Sequence, residues 1–286
     1  MTAFPQGLGA IAGRYDLLIC DVWGVVHNGL RAWPLACEAL QRFRAEGGTV
    51  VLLTNAPRPN EAVADMLRQL DVPLDTRDAI VTSGDLAREA IRDAGAAIVY
   101  HLGPDRDRGV LEGLDLQLGV PEAADIVLNT GLFDDETETP EDYDELIERM
   151  RARNLRMVCA NPDLVVERGD QLIYCAGAIA ERYEQAGGDV LWAGKPRAPV
   201  YERVFEAAKD ICGEAVDPSR ALAIGDALRT DIVGGNAAGA ATLFIAQGIH
   251  AGDVLADGTL DENAIARLAE TAGARPDYAM EILRWA

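Results

Sequence analysis

The sequence predicts an α/β fold: a doubly wound, Rossmann-like parallel-sheet core with a second α/β module inserted into it. Three observations carry this expectation. Short runs of branched apolar residues, among them Leu17–Cys20, Thr49–Leu53 and Ala221–Ile224, read as strands buried on both faces. Helical patterns lie between such runs, as an alternating α/β chain requires. Polar strand ends also recur at the length of one strand–helix–strand unit: Asp21 to Thr54 is 33 residues and Lys195 to Asp226 is 31. The 140 residues from Asn55 to Lys195 are too many for one crossover, so a domain-sized insert belongs there.

Taken in order, the first strand closes on Asp21 and runs into Val22-Trp23-Gly24-Val25-Val26. His27-Asn28-Gly29 reads as a tight turn in which Asn-Gly supplies positive φ, and places His27 in solvent. Pro34 to Glu46 is helical and stops at Gly47-Gly48, a glycine C-terminal signal. Asn60 is the expected N-cap of the next helix, whose Val63, Met66, Leu67 and Leu70 share one face. Within the insert, Ala96–Tyr100, Asp125–Leu128 and Leu155–Cys159 are strand-like. Thr139-Pro140-Glu141-Asp142 starts a helix, with threonine as cap and acids against the dipole. The expected core is residues 1–79 and 191–286, and the insert residues 80–190.

Composition narrows the function classes. A chain of 286 residues, 49% hydrophobic, has room for two domains with real cores. No apolar run reaches membrane-spanning length, and the first residues lack a signal-peptide pattern, so the expectation is a cytoplasmic protein without membrane contact. A net charge of −21 argues against nucleic acid, whose phosphates need a basic surface. It does not exclude a small phosphorylated substrate, since one lysine and a bound cation reverse the sign locally. Five cysteines without CxxC spacing read as buried free thiols in a reducing compartment. The oligomeric state stays open, a homodimer included.

Four segments put a polar group at the end of a strand, or in the loop near one: Asp21, Thr54-Asn55, Lys195 in Gly194-Lys195-Pro196, and Asp226 with Asp231 five residues on. In an open parallel sheet such ends share one edge, and ligands bind there. Any one of them alone is an ordinary turn, cap or solvated residue; their order and spacing make the signal. The acidic run from Asp134 to Glu145 reads as a solvated loop and helix start.

This set resembles the haloacid dehalogenase-like hydrolases, in particular the class IIA branch of phosphatases with a large cap between the second and third motifs. The resemblance covers nearly the whole chain. Its most specific piece is Gly225-Asp226-Ala227-Leu228-Arg229-Thr230-Asp231-Ile232, and Thr82-Ser83-Gly84 and Asn161-Pro162-Asp163 look like cap-entry and cap segments. It implies a Mg2+-dependent hydrolase of small phosphorylated metabolites, sugar phosphates among them. Asp21 would be the nucleophile, passing through an aspartyl-phosphate. Mg2+ would be held by Asp21, the Trp23 carbonyl and Asp226, with Asp231 acting from behind or through water. Thr54, Asn55 and Lys195 would bind the phosphoryl oxygens.

Two departures from that pattern stand out. The second motif reads Thr54-Asn55-Ala56-Pro57-Arg58, where the branch carries a further asparagine and a serine; Arg58 becomes a candidate anion contact. The larger departure is Trp23, which occupies the place of the second aspartate that serves as general acid and base. Its carbonyl can still bind metal, but an indole cannot protonate a leaving group, and such help is worth about 10²–10⁴ in rate. The alternatives are therefore a phosphatase of activated phosphates, a phosphatase in which His27 supplies the proton, and a binding protein that keeps phosphate recognition without turnover.

Overall fold

The computed structural model describes residues 2–168, 171–256 and 258–286. The chain opens with β1 (Leu17–Asp21), α1 (Pro34–Ala45), β2 (Thr49–Thr54), α2 (Asn60–Gln69), β3 (Ala79–Thr82) and α3 (Ser83–Asp93). It continues through β4 (Ile98–Leu102), β5 (Gln117–Leu118), β6 (Ile126–Asn129), α4 (Asp144–Ala152) and β7 (Arg156–Cys159). A hairpin of β8 (Val165–Arg168) and β9 (Gln171–Tyr174) follows, then α5 (Ala176–Gln185) and β10 (Asp189–Trp192). The last part holds α6 (Ala198–Cys212), β11 (Ala221–Gly225), β12 (Ala241–Ile245), the short pair β13 (Leu255–Ala256) and β14 (Thr259–Leu260), and β15 (Tyr278–Met280).

These strands form two main sheets. One runs β15-β12-β11-β1-β2-β3, the other β10-β7-β6-β4-β5, and all pairs in both are parallel. The first is the Rossmann-like, doubly wound sheet: the chain fills β1, β2, β3 in one direction and β11, β12, β15 in the other. The second is built wholly from residues between 98 and 192. The sheets divide the chain slightly differently from the expected limits. β3 pairs with β2, which carries the first sheet to Thr82, and β10 pairs with β7, which carries the second to Trp192. Both β3 and β10 are edge strands, and Ala79-Ile80 and Val190-Leu191-Trp192 are only half-buried.

Local chemistry accounts for most element ends. Every residue of β1 and β2 is buried, as expected for central strands covered on both faces. Thr82 caps α3 by accepting the Asp85 N–H at 3.0 Å. The Asp142 carboxylate reaches back to the Thr139 N–H at 2.8 Å, ahead of a single 3-10 turn that leads into α4. Asn60 is a correction: Pro59 occupies the cap position, and Asn60 is the first helical residue, its N–H donated to Asp85. Cys212 is exposed, while the other four thiols are buried and free. No helix among the described residues is long and apolar enough to cross a membrane.

The face of α1 that carries Ala36, Leu40 and Phe43 packs with Leu18, Val50 and Leu52 into the largest apolar cluster. Leu40 is fully buried there. Leu40→Ala is expected to lower stability by about 2–5 kcal/mol, the range for a truncated core leucine. Urea unfolding followed by circular dichroism measures it, and a loss under about 1 kcal/mol would mean that this face does not anchor the sheet.

Candidate active site

The switch point of the first sheet lies between β1 and β11, where the chain changes direction. These strands stay in register up to Cys20 opposite Ile224, so Asp21 and Asp226 leave the sheet at the same edge. β2 pairs Leu53 with Asp21, which brings Thr54 and Asn55 to that edge as well. Lys195 arrives three residues after β10, on the return from the second sheet. Asp231 is carried back by one π-helical turn, Leu228–Ile232, of a kind often found where function needs a displaced side chain. Asp21, Lys195, Asp226 and Asp231 are all buried, at 3–7% exposure.

The charges interlock. Lys195 Nζ donates to Asp21 Oδ1 at 2.5 Å and to Asp231 Oδ1 at 2.7 Å. Asp231 Oδ2 accepts the Ala227 N–H at 3.1 Å, so both of its oxygens are engaged. Asp226 Oδ2 accepts the Ile249 N–H at 2.8 Å. Gly24 has φ of 84° and its Cα lies so close to Asp226 that a Cβ would overlap the carboxylate. Burial pushes the Asp21 carboxyl up, Asp231 and Asp226 add to that, and the Lys195 ammonium opposes it. Burial alone would lower Lys195, but Asp21, Asp231 and Asp163 hold it well above its ordinary value. Burial and then Asp231 raise Asp226 to about 7.

The Asn55 side chain is a hub of hydrogen bonds. Its Oδ1 accepts the Lys195 N–H at 2.9 Å and the Ser83 hydroxyl at 3.0 Å; its Nδ2 donates to Asp163 Oδ1 at 3.0 Å. One side chain thus ties together both crossings between the sheets and the segment after β7. Thr54 Oγ1 accepts the Ala56 N–H at 3.2 Å, which leaves its own proton free to donate.

A cavity of about 200 Å³ is lined by Asp21, Trp23, Thr54, Asn55, Lys195 and Asp226, among others. A second, of about 290 Å³, shares Trp23, Thr54, Asn55 and Asp163 with it and extends to Arg58, Arg106 and Arg168. The carboxylate oxygens of Asp21, Asp226 and Asp231 lie within 4.8 Å of one another, a convergent all-oxygen set that suits a hard divalent cation.

His27 and Asp135 depart from expectation. His27 is fully buried, not in solvent: Nδ1 accepts the Gly29 N–H at 2.8 Å and the ring meets the Trp23 indole edge-on at 5.0 Å. Burial pushes its pKa down to about 4. Arg58, the candidate anion contact, donates one of its nitrogens, Nε, to the buried Asp107 at 2.8 Å. Asp135, in the acidic run, is not solvated but pairs with Arg106 and Arg168. Asp163 is the site residue that sequence reasoning passed over; the Asn161-Pro162-Asp163 segment was the available signal.

The chain is similar to proteins of known family. The family model described as haloacid dehalogenase-like hydrolase matches residues 18–117, and the HAD-hydrolase-like model matches residues 192–279. A crystal structure of a hydrolase of the haloacid dehalogenase-like family from Brucella suis 1330 is 45% identical, with a TM-score of 0.88, covering 98% of this chain and 100% of that one. The 5'-nucleotidase YutF of Bacillus subtilis (strain 168) is 26% identical over 82% of this chain and 88% of its own. The glycerol-3-phosphate phosphatase of Gallus gallus is 27% identical over 84% and 82%.

The raised Asp226 sets a pH dependence. Between the ordinary 3.8 and about 7 the folded chain holds a proton that the unfolded chain has lost. This contribution is therefore largest at low pH and falls as pH rises through that window. Mg2+ at a hundredfold excess over its Kd is expected to add about 2.7 kcal/mol of stability, and its gain in Tm is expected to be larger at pH 8 than at pH 6. Asp226→Asn is expected to melt above wild type at pH 8 without metal and to lose the Mg2+ gain. Differential scanning calorimetry decides it; an undiminished gain in the variant removes Asp226 from the metal set.

Proposed function

The chain belongs to the haloacid dehalogenase-like hydrolases and to their class IIA branch, and from that premise we propose that it is a Mg2+-dependent phosphoric monoester hydrolase of small phosphorylated metabolites. The observation that carries this reading is the convergence of Asp21, Asp226 and Asp231 around the Lys195 ammonium at the switch point. The second sheet, residues 98–192, acts as the cap that closes the chamber from water. Four buried, unpaired thiols support a reducing, cytoplasmic setting.

The roles follow from chemistry. Thr54 donates its hydroxyl proton to a phosphoryl oxygen, and the Asn55 N–H and Lys195 ammonium take the others, where charge gathers in the transition state. One Asp21 oxygen is held by Lys195; the other attacks phosphorus, the P–O bond to the substrate breaks, and the leaving oxygen departs with the electron pair. Water then attacks the aspartyl-phosphate and releases inorganic phosphate. Asp231 positions Lys195, since its oxygens are taken by that ammonium and the Ala227 N–H. Asp21, Asp226 and the Trp23 carbonyl would hold Mg2+, which when bound neutralises the carboxylates and the charge on the phosphoryl oxygens.

Trp23 decides which leaving groups are tolerated. Its side chain cannot donate a proton to the departing oxygen. His27 does not replace it: a ring with a pKa near 4 is neutral at pH 7, and its Nδ1 lone pair is committed to Gly29. Leaving groups that are stable as anions, aryl or acyl, are therefore favoured over alkyl ones. The names of the nucleotidase and glycerol-phosphate relatives support a phosphomonoester substrate, but their alkyl leaving groups are those this chain handles worst.

With Mg2+, p-nitrophenyl phosphate is expected to turn over at least about a hundredfold faster than an alkyl sugar phosphate, the lower end of what a positioned acid supplies. Trp23→Asp should raise the alkyl rate selectively. Equal rates in the wild type would show that another group supplies the proton. Binding of both compounds with Mg2+ but turnover of neither would favour a phospholigand-binding protein. His27→Ala is expected to lower stability by about 1–3 kcal/mol through loss of the Gly29 contact and the Trp23 packing. It should leave the pH–rate profile for p-nitrophenyl phosphate unshifted; a lost limb in that profile would return His27 to the chemistry.

A further inference from the structure

The second sheet has a switch point of its own. Its order β10-β7-β6-β4-β5 puts β5 on one side of β4 and β6 on the other. The connections leaving β4 and β6 therefore part, and a crevice opens at the C-terminal ends of these strands. Residues from those connections, Pro104, Arg106 and Asp107 after β4 and Thr130, Gly131 and Asp135 after β6, line the larger cavity. Trp23, Thr54 and Asn55 of the first sheet line the same space. Two ligand-binding edges thus border one chamber.

Guanidinium groups gather at the far edge. Arg106 and Arg168 each donate Nη2 to the same oxygen, Asp135 Oδ2, at 2.5 and 2.9 Å. Arg58 donates Nε to Asp107 Oδ1 at 2.8 Å. The carboxylates lie underneath, Asp107 at 4% and Asp135 at 12% side-chain exposure, whereas Arg58, Arg106 and Arg168 are 34%, 47% and 36% exposed. At this edge three cations stand over two anions, a local excess of one positive charge in a chain whose net charge is −21, while the cavity lining as a whole, with Asp163, balances at three of each. The remaining carboxylate of the wall, Asp163, is tied to Asn55 where the two cavities join. Between the ends the wall is apolar, with Trp23, Met66 and Ile173.

We propose that this edge recognises a second anionic group on the substrate. The substrate would be a phosphomonoester whose departing part ends in a carboxylate or a second phosphate. Arg106 and Arg168, braced by Asp135, bind that group while the phosphoryl end lies at Asp21; Arg58 adds its free guanidinium nitrogens. A planar fork of N–H donors suits either anion, and hydrogen bonds between two charged partners are the strong ones. The inference rests on the phosphatase reading for where the first phosphate lies.

Calorimetric titration with two phosphonates in the presence of Mg2+ tests it: para-(carboxymethyl)benzylphosphonate and para-ethylbenzylphosphonate. They match up to the terminal carbon, which is a carboxylate in one and a methyl group in the other. The carboxylate compound is expected to bind about tenfold more tightly, the size of one charge-assisted contact. In Arg106→Gln/Arg168→Gln that advantage should vanish while the ethyl compound binds as before. Equal affinities in the wild type, absence of binding by either, or a variant that weakens both equally would overturn the proposal. Neither compound can be hydrolysed, so the result stands apart from turnover. An inactive protein that still prefers the carboxylate compound upholds the second-anion site and removes the phosphatase reading.

Discussion

The Lys195 ammonium, 3% exposed, lies between Asp21 and Asp231, and the rest of the molecule is arranged so that it can stay there. A buried charge left without its partner costs about 3–5 kcal/mol, so neither the lysine nor the two aspartates can be removed alone. Lys195 belongs to the return segment from the second sheet, Asp21 to the first strand, and Asp231 to the turn after β11. Their ion pairs are therefore also the tie between the two halves of the chain. Asn55 reinforces it by accepting the Lys195 N–H and the Ser83 hydroxyl, one from each crossing. The proposed catalytic roles and the structural ones fall on the same few polar atoms.

That arrangement is electrostatically incomplete. Asp21, Asp163, Asp226 and Asp231 surround one ammonium, and the carboxyls of Asp21, Asp163 and Asp226 are all raised by burial. A fold can bear several buried like charges only if a proton or a cation shares the space. The second sheet adds the complementary half. It turns its own strand ends toward the cavity, where Arg106 after β4 is joined by Arg168 of β8 and Arg58 after β2, so the chamber grades from acidic at one end toward basic at the other.

Much of this was legible in the sequence because parallel strands carry their signal in short uninterrupted apolar runs, and because a strand end is where a polar residue becomes conspicuous. Asp21, Thr54, Lys195 and Asp226 could be placed on one edge from spacing alone. Other features depend on contacts between residues distant in sequence. Asn55 meets Lys195 across 140 residues, and Arg58 meets Asp107 across 49, distances over which no periodicity speaks. His27 looked like a turn residue because Asn28-Gly29 does form a turn; its burial comes from the Trp23 ring laid against it. Asp135 was hidden inside an acidic run, where composition suggests solvent. β3 and β10 are four-residue edge strands, and apolar runs as short as Ala79-Ile80-Val81 and Val190-Leu191-Trp192 do not say which of two sheets they join.

Trp23 is the point at which the two ends of the chamber bear on each other. A fifth carboxylate at that position would add to a site that already has four for one ammonium, and would repel a substrate carrying two anionic groups. An indole removes that charge and offers an apolar face between the ends. Its cost is the lost proton transfer, which weighs least when the departing oxygen is already stable as an anion. On the proposed reading the substitution would be less a damaged catalyst than a coherent exchange: acid catalysis would be given up, and the wall beside Asp21 would become compatible with a doubly anionic ligand. His27 fits the same logic. Neutral, buried and bonded through Nδ1 to Gly29, it supports the indole from behind without adding a charge of either sign.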